Sequence, residues 1–205
     1  MNGIYGEYRP VLENIKDEFE KRIEEYTQKE YDKSGIRIYE HLIARVKEEE
    51  SMCEKCRRKN LPETPESAMK KLHDSIGLRI VCSFIEDIYK NIKYIKAFPD
   101  CKVIHEKDYI RHAKPNGYRS YHMILEIQFP CADVYGNNPG TFYVEIQLRT
   151  IAMDSWAALE HKLKYKKNVA NQELIIAELK RCADEMASCD VSMQTIRDLI
   201  TETEN

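Results

Sequence analysis

The chain has 205 residues, is 33% charged and 42% hydrophobic, and carries a formal net charge of −3. That is enough for one domain with a proper core, and the composition excludes disorder, the basic footprint of a general nucleic-acid binder and any membrane-spanning run. Met1 to Pro10 is polar and lacks the apolar core of a signal peptide, and seven scattered cysteines read as reduced thiols of a cytoplasmic protein rather than a disulfide framework.

Val11 to Tyr31 reads as an amphipathic helix, with Val11, Leu12, Ile15, Phe19, Ile23 and Tyr26 recurring at threes and fours. Ser34-Gly35 breaks it. Ile36 to Val46 alternates enough to predict a strand, on whose end Arg45 and Lys47 point the same way. Ser51 is a candidate cap for the next helix, where Ser51, Lys55 and Arg58 share a face. A strand end meeting a helix N-terminus suits phosphate. A Lys/Glu-rich surface helix, balanced by Glu48, Glu49, Glu50 and Glu54, accounts for the same residues without a ligand. Cys53-x-x-Cys56 lies in this helix without a second pair at zinc spacing.

Thr64 is placed to cap a short helix from Pro65 to His73. Asp74-Ser-Ile-Gly77-Leu-Arg79 then leads into Ile80 to Ile85, a β-branched run predicted as a buried central strand. Glu86 to Phe98 is the next helix, closed by Pro99. Strands follow at about 101–110 and 120–129, around the turn Lys114-Pro-Asn-Gly117. The stretch His105 to His122 gathers Lys107, Arg111, Lys114 and Arg119 with Tyr109, Tyr118, Tyr121, His112 and His122. Cations suit phosphates, and an aromatic ring beside a glycine suits a flat base. A hairpin with solvated charges is the plain alternative. Asp133 to Gly140 is an exposed turn joining a second hairpin. The strand Thr141 to Arg149 sets Phe142, Val144, Ile146 and Leu148 on one face, and Tyr143, Glu145, Gln147 and Arg149 on the other. Acid, amide and guanidinium in a row suggest a cleft, although Arg149 also suits a plain pairing with an acid on the sheet. Ile151 to Lys167 is a helix carrying Asp154, with Met153 and Trp156 as core. Gln172 to Ile200 is helical, with an apolar stripe (Leu174 to Leu199) that packs on the domain or on another copy.

Four ordered motifs carry a family resemblance: Arg45-x-Lys47-x-x-x-Ser51-x-x-x-Lys55; His73-Asp-Ser-Ile-Gly-Leu-Arg79; Asp108-Tyr-Ile with Lys114-Pro-Asn-Gly-Tyr-Arg-Ser-Tyr-His122; and Val144-Glu-Ile-Gln-Leu-Arg-Thr-Ile-Ala-Met-Asp-Ser-Trp-Ala, running on to Glu160-His-Lys. Over about residues 36–200 the chain resembles the synthetase domain of the RelA/SpoT family, most closely its small single-domain alarmone synthetases. The resemblance implies an α+β fold: a mixed, about five-stranded nucleotidyltransferase-like sheet flanked by helices, with helical extensions at both ends.

It also implies Mg²⁺-dependent transfer of pyrophosphate from ATP to the ribose 3′-hydroxyl of GDP or GTP, a phosphoryl chemistry run by cations, metal and positioning. Arg45, Lys47, Ser51 and Lys55 would hold the ATP phosphates, and Arg58 and Arg79 the adenine. Asp74 and Glu145 would hold the metal, with Glu145 also the base on the 3′-hydroxyl. Tyr118 would stack on guanine, Lys107, Lys114 and His122 would face the acceptor's phosphates and sugar, and Gln147 and Asp154 would orient it. A homo-oligomer, a tetramer in some relatives, is implied, with single-stranded RNA left open as a further partner. No hydrolase or regulatory domain flanks the motifs, so synthesis without degradation is expected. Glu48, Glu49 and Glu50 stand where the family often has a neutral run, and His41 where an aromatic is expected, which tells against activation by product. A nucleotidyl transferase and a catalytically weak nucleotide- or RNA-binding regulator are the alternatives on the same fold.

Overall fold

The computed structural model describes residues 3–164 and 171–203. Helix α1 (Arg9–Ser34) begins with Pro10 in its first turn and ends at Gly35, whose φ of +69° lets its N–H donate to Tyr31 O at 2.7 Å. Strand β1 (His41–Val46) is shorter than the sequence predicts. Residues 36–40 form a connector, and the Ile38 carbonyl accepts from the Asn91 side chain at 2.7 Å instead of from a strand neighbour. Helix α2 (Glu49–Arg58) starts from Glu48, so Ser51 lies inside it and makes no cap. Acidic residues at this N-terminus complement the helix dipole.

A single π-helical turn (Ser67–Lys71) replaces most of the expected short helix. Thr64 does cap its start, its Oγ1 accepting from Ser67 N at 3.3 Å. Strand β2 (Ile76–Cys82) runs earlier than the predicted 80–85. The apolar run straddles a boundary, since Ile85 already opens helix α3 (Ile85–Lys96), and a continuous apolar run has no period with which to mark that boundary. Then come β3 (Cys101–Asp108), β4 (Tyr121–Phe129), β5 (Gly140–Thr150), α4 (Ile151–Lys164) and α5 (Gln172–Thr203). The predicted helical residues 165–167 lie outside the described residues.

The five strands form one sheet in the order β1-β2-β5-β4-β3. β2 and β5 are parallel and the other neighbours antiparallel, so the sheet is mixed and the class is α+β, as expected. One face is apolar: Ile76, Leu78 and Ile80, Met123 and Leu125, and Phe142 to Leu148 at alternate positions are all buried. The stripes of α1 (Leu12, Ile15, Phe19, Ile23) and α3 (Ile88, Ile92, Ile95) complete that core. Each such side chain contributes roughly 1.5–3 kcal/mol on burial. Tyr26 stacks on Tyr94 at 5.0 Å between ring centroids, tying α1 to α3. The opposite face of the sheet stays wet.

A buried ion pair joins the π-helical turn to the loop between β4 and β5. Lys70 Nζ donates to Asp133 Oδ2 at 2.5 Å and to Thr141 O at 2.8 Å. Asp133 also accepts from the N–H groups of Tyr135, Asn137 and Thr141. Burial by itself would raise the Asp133 pKa, but Lys70 and these N–H groups prevail and hold it well below the usual carboxylate range. A depressed carboxylate contributes stability that is fully present above its unfolded value of about 3.9 and is lost as pH falls towards its folded value. Asp133→Ala is expected to lower unfolding free energy in urea at pH 7 by about 3–5 kcal/mol, because it strands Lys70 and three N–H groups. Lys70→Met is expected to cost less.

Candidate active site

Two rows of paired residues cross the wet face. One runs Arg45, Gly77, Glu145, Ile124 over β1, β2, β5 and β4. The next runs Ile43, Arg79, Gln147, His122, Lys107 over all five strands. A cavity of about 320 Å³ opens on these rows, lined by Arg45, Lys47, Asp74, Arg79, Glu145 and Gln147 among others. Gly77 forms part of its floor, and a Cβ built there meets nothing within 4 Å. Glu145 sits in the middle of an eleven-residue strand.

Asp74 is held in place from several sides. His73 before it has a φ of +56°, its ring lies 3.9 Å from that of Tyr143, and its Nε2 donates to Lys70 O at 2.7 Å. Ser75 after it donates to Ala68 O at 2.6 Å and accepts Lys47 N–H on its carbonyl at 2.8 Å. A non-glycine residue in the left-handed region is uncommon, and such backbone clusters at functional sites. Asp74 is 7% exposed. Its Oδ2 accepts from both Lys47 and Lys55, the latter at 2.5 Å, while Oδ1 is buried with no partner.

From Glu145 a polar chain runs across the sheet. His122 Nδ1 is 3.7 Å from Glu145 Oε1. His122 Nε2 and the Tyr118 hydroxyl are 2.8 Å apart. Arg149 donates to that hydroxyl at 2.7 Å, to Gln147 Oε1 at 3.1 Å and to Asp154 Oδ1 at 2.9 Å. Asp154 also pairs with Arg79 at 3.3 Å. Burial would raise the Glu145 pKa, yet His122, Lys55 and Lys47 hold it below its ordinary value, so Glu145 is ionised and able to accept a proton. Desolvation, followed by the neighbouring Arg149, lowers the Arg79 pKa.

The structure thus brings together Asp74, Glu145, Arg45, Lys47, Arg79 and Gln147, with Lys55 joined through Asp74. His122, Tyr118 and Asp154 join through the polar chain, and Lys107 is the strand neighbour of His122. Ser51 and Arg58 are exposed on α2 and do not line this cavity. The N-terminus of α2 also borders an acidic cleft lined by Glu7, Glu49, Glu50 and Glu63. Lys114 Nζ lies over the rings of Tyr109 and Tyr118, at 4.5 and 4.6 Å. Arg119, counted above among the phosphate-suited cations, is spent on structure: it donates to Gly117 O, Ala183 O and Asp184. Gly117 has a φ of +90°, and a Cβ there would stand 2.5 Å from Ala183 Cβ, so the turn is pressed onto α5. Tyr5 was not foreseen. It is fully buried and donates to Lys47 O at 2.8 Å, and the only hint was the Ile4-Tyr5 pair in a polar segment.

The family model described as "Region found in RelA / SpoT proteins" matches residues 44–170. The chain belongs to the RelA/SpoT family. GTP pyrophosphokinase YwaC of Bacillus subtilis is 40% identical over 80% of this chain and 76% of its own. GTP pyrophosphokinase YjbM of the same organism is 35% identical over 96% and 88%. Small alarmone synthetase 1 from Bacillus subtilis, bound to its product pppGpp, superposes with a TM-score of 0.76 at 32% identity, covering 94% of each chain. The same protein bound to AMPCPP gives 0.68 at 31% identity, over 95% of this chain and 94% of that one.

The open floor at Gly77 makes a test of this RelA/SpoT cavity. Gly77→Ala is expected to keep the melting temperature, since the added Cβ meets no atom. Gly77→Leu is expected to fold with its side chain filling part of the cavity, which a crystal structure of the variant would show.

Proposed function

We propose that this chain is a GTP pyrophosphokinase, transferring pyrophosphate from ATP to the ribose 3′-hydroxyl of GDP or GTP to make (p)ppGpp. One observation carries the reading: Asp74, with a free buried oxygen, and ionised Glu145 share one cation-lined cavity, in a chain whose relatives are GTP pyrophosphokinases. Mg²⁺ fits this donor set. Asp74 Oδ1 lacks a partner, Glu145 lines the same cavity, and two carboxylates with phosphate and water oxygens are what this hard cation takes. Bound there, it would offset the charge of the transferring group.

The residues divide the work. Arg45, Lys47, Lys55 and Arg79 supply the cations for a triphosphate, and Ser51 and Arg58, sharing the α2 face of Lys55, complete the donor side. Tyr118 offers a ring to guanine, Lys107, Lys114 and His122 meet the acceptor's phosphates and sugar, and Gln147 and Asp154 orient it. Glu145 takes the proton of the 3′-hydroxyl as its oxygen bonds to the β-phosphorus of ATP. The bond from that phosphorus to the α-phosphate bridging oxygen breaks, and AMP leaves. The reading extends to a homo-oligomer, a tetramer, supported by exposed Leu174, Met193, Ile196 and Leu199 on α5, and to a cytoplasmic setting, supported by the seven free thiols.

The test incubates the protein with γ-labelled ATP, GDP or GTP, and Mg²⁺. Label is expected in guanosine tetra- or pentaphosphate with AMP released; pyrophosphate release would indicate nucleotidyl transfer instead. Glu145→Gln is expected to lower kcat by about 10²–10³, and full activity in that variant would refute its role as base. Chelation by EDTA is expected to abolish turnover.

A further inference from the structure

The polar chain beside Glu145 has a direction, and Arg149 sets it. A guanidinium has N–H donors and no acceptor. The Arg149 side chain is 7% exposed and is held by Asp154 and Gln147, so its Nη2–H bond to the Tyr118 hydroxyl at 2.7 Å is fixed in place. The phenol oxygen is the acceptor there. Among the described residues, the partner for its own proton is His122 Nε2 at 2.8 Å. A cation on the phenol oxygen also makes its O–H a stronger donor. Nε2 therefore accepts, and a neutral imidazole whose Nε2 accepts carries its hydrogen on Nδ1. Nδ1 is the nitrogen 3.7 Å from Glu145 Oε1.

We propose that Arg149 is a positioning residue which, through the Tyr118 hydroxyl, fixes His122 in the tautomer that presents Nδ1–H to Glu145. The opposite tautomer would set a lone pair against the carboxylate. With Nδ1–H facing it, one oxygen of Glu145 is oriented, leaving the other open to take a proton. Tyr118 thus has a duty for its hydroxyl that is separate from the face of its ring. The consequence for turnover rests on the pyrophosphokinase reading, whereas the tautomer is a property of the nucleotide-free protein.

The experiment is imidazole ¹⁵N NMR of the full chain at about pH 8.5, above the ordinary histidine titration, with His122 assigned by His122→Gln. The wild type is expected to show the Nδ1–H form at His122. Tyr118→Phe keeps the ring and removes one oxygen, and Nε2–H is expected to take over. Arg149→Lys, which loses the fork, is expected to give a mixture; if that variant does not fold, Tyr118→Phe carries the comparison. In turnover, Tyr118→Phe is expected to lower kcat about 10–100-fold while the acceptor KM stays within about twofold, because the stacking face survives. An Nε2–H form in the wild type, an unchanged tautomer in Tyr118→Phe, or an unchanged kcat in that variant each overturns the proposal. Wild-type protein with the Nδ1–H form but no guanosine tetra- or pentaphosphate product supports the hydrogen-bond assignment and refutes the pyrophosphokinase reading instead.

Discussion

The parallel pairing of β2 with β5 is the constraint on which the site depends. Its register sets Gly77 beside Glu145 and Arg79 beside Gln147, and brings the turn carrying Asp74 to the same end of the sheet. Parallel neighbours need a long crossover, and here it runs through α3, β3 and β4. Side chains alternate along a strand, so a slip by one residue would exchange Glu145 and Gln147 for Val144 and Ile146. That would bury charge and expose apolar surface. The core that packs α1 and α3 against the sheet therefore also places the chemistry.

Several charges on the wet face are paired with one another. Lys47 and Lys55 converge on one oxygen of Asp74, and Asp154 serves both Arg79 and Arg149. Such pairs keep partly buried ions from the full penalty of desolvation. They also leave cations and two carboxylates side by side in one cavity.

Support comes from the two ends of the chain. The buried Tyr5 hydroxyl holds the carbonyl of Lys47. From α5, Ala183 meets Gly117, Leu179 accepts from Trp156 Nε1 at 2.8 Å, and Asp190 accepts from Thr150 Oγ1 at 2.6 Å. Arg197 reaches from α5 to Asp87 at the start of α3, at 2.8 Å. The turn at Gly117 is thereby braced by a helix far from it in sequence.

Periodicity by itself determined the elements with a repeating pattern. The threes and fours of α1 and the alternation of β5 need only neighbouring residues to be read, and they gave the buried stripe and the wet row Glu145, Gln147, Arg149. Lys114-Pro-Asn-Gly117 was likewise legible as a turn, and the four ordered motifs as a family. The unpatterned run at 80–85 hid a strand end and a helix start, and Ser51 looked like a cap because hydroxyls often are. Only the tertiary structure decided that Lys47 and Lys55 share one oxygen of Asp74, that Arg119 serves α5 rather than a ligand, and that Arg149, Tyr118 and His122 form a directed chain to Glu145. Those facts depend on strand register and on contacts between residues remote in sequence, where a local pattern carries no information about distance.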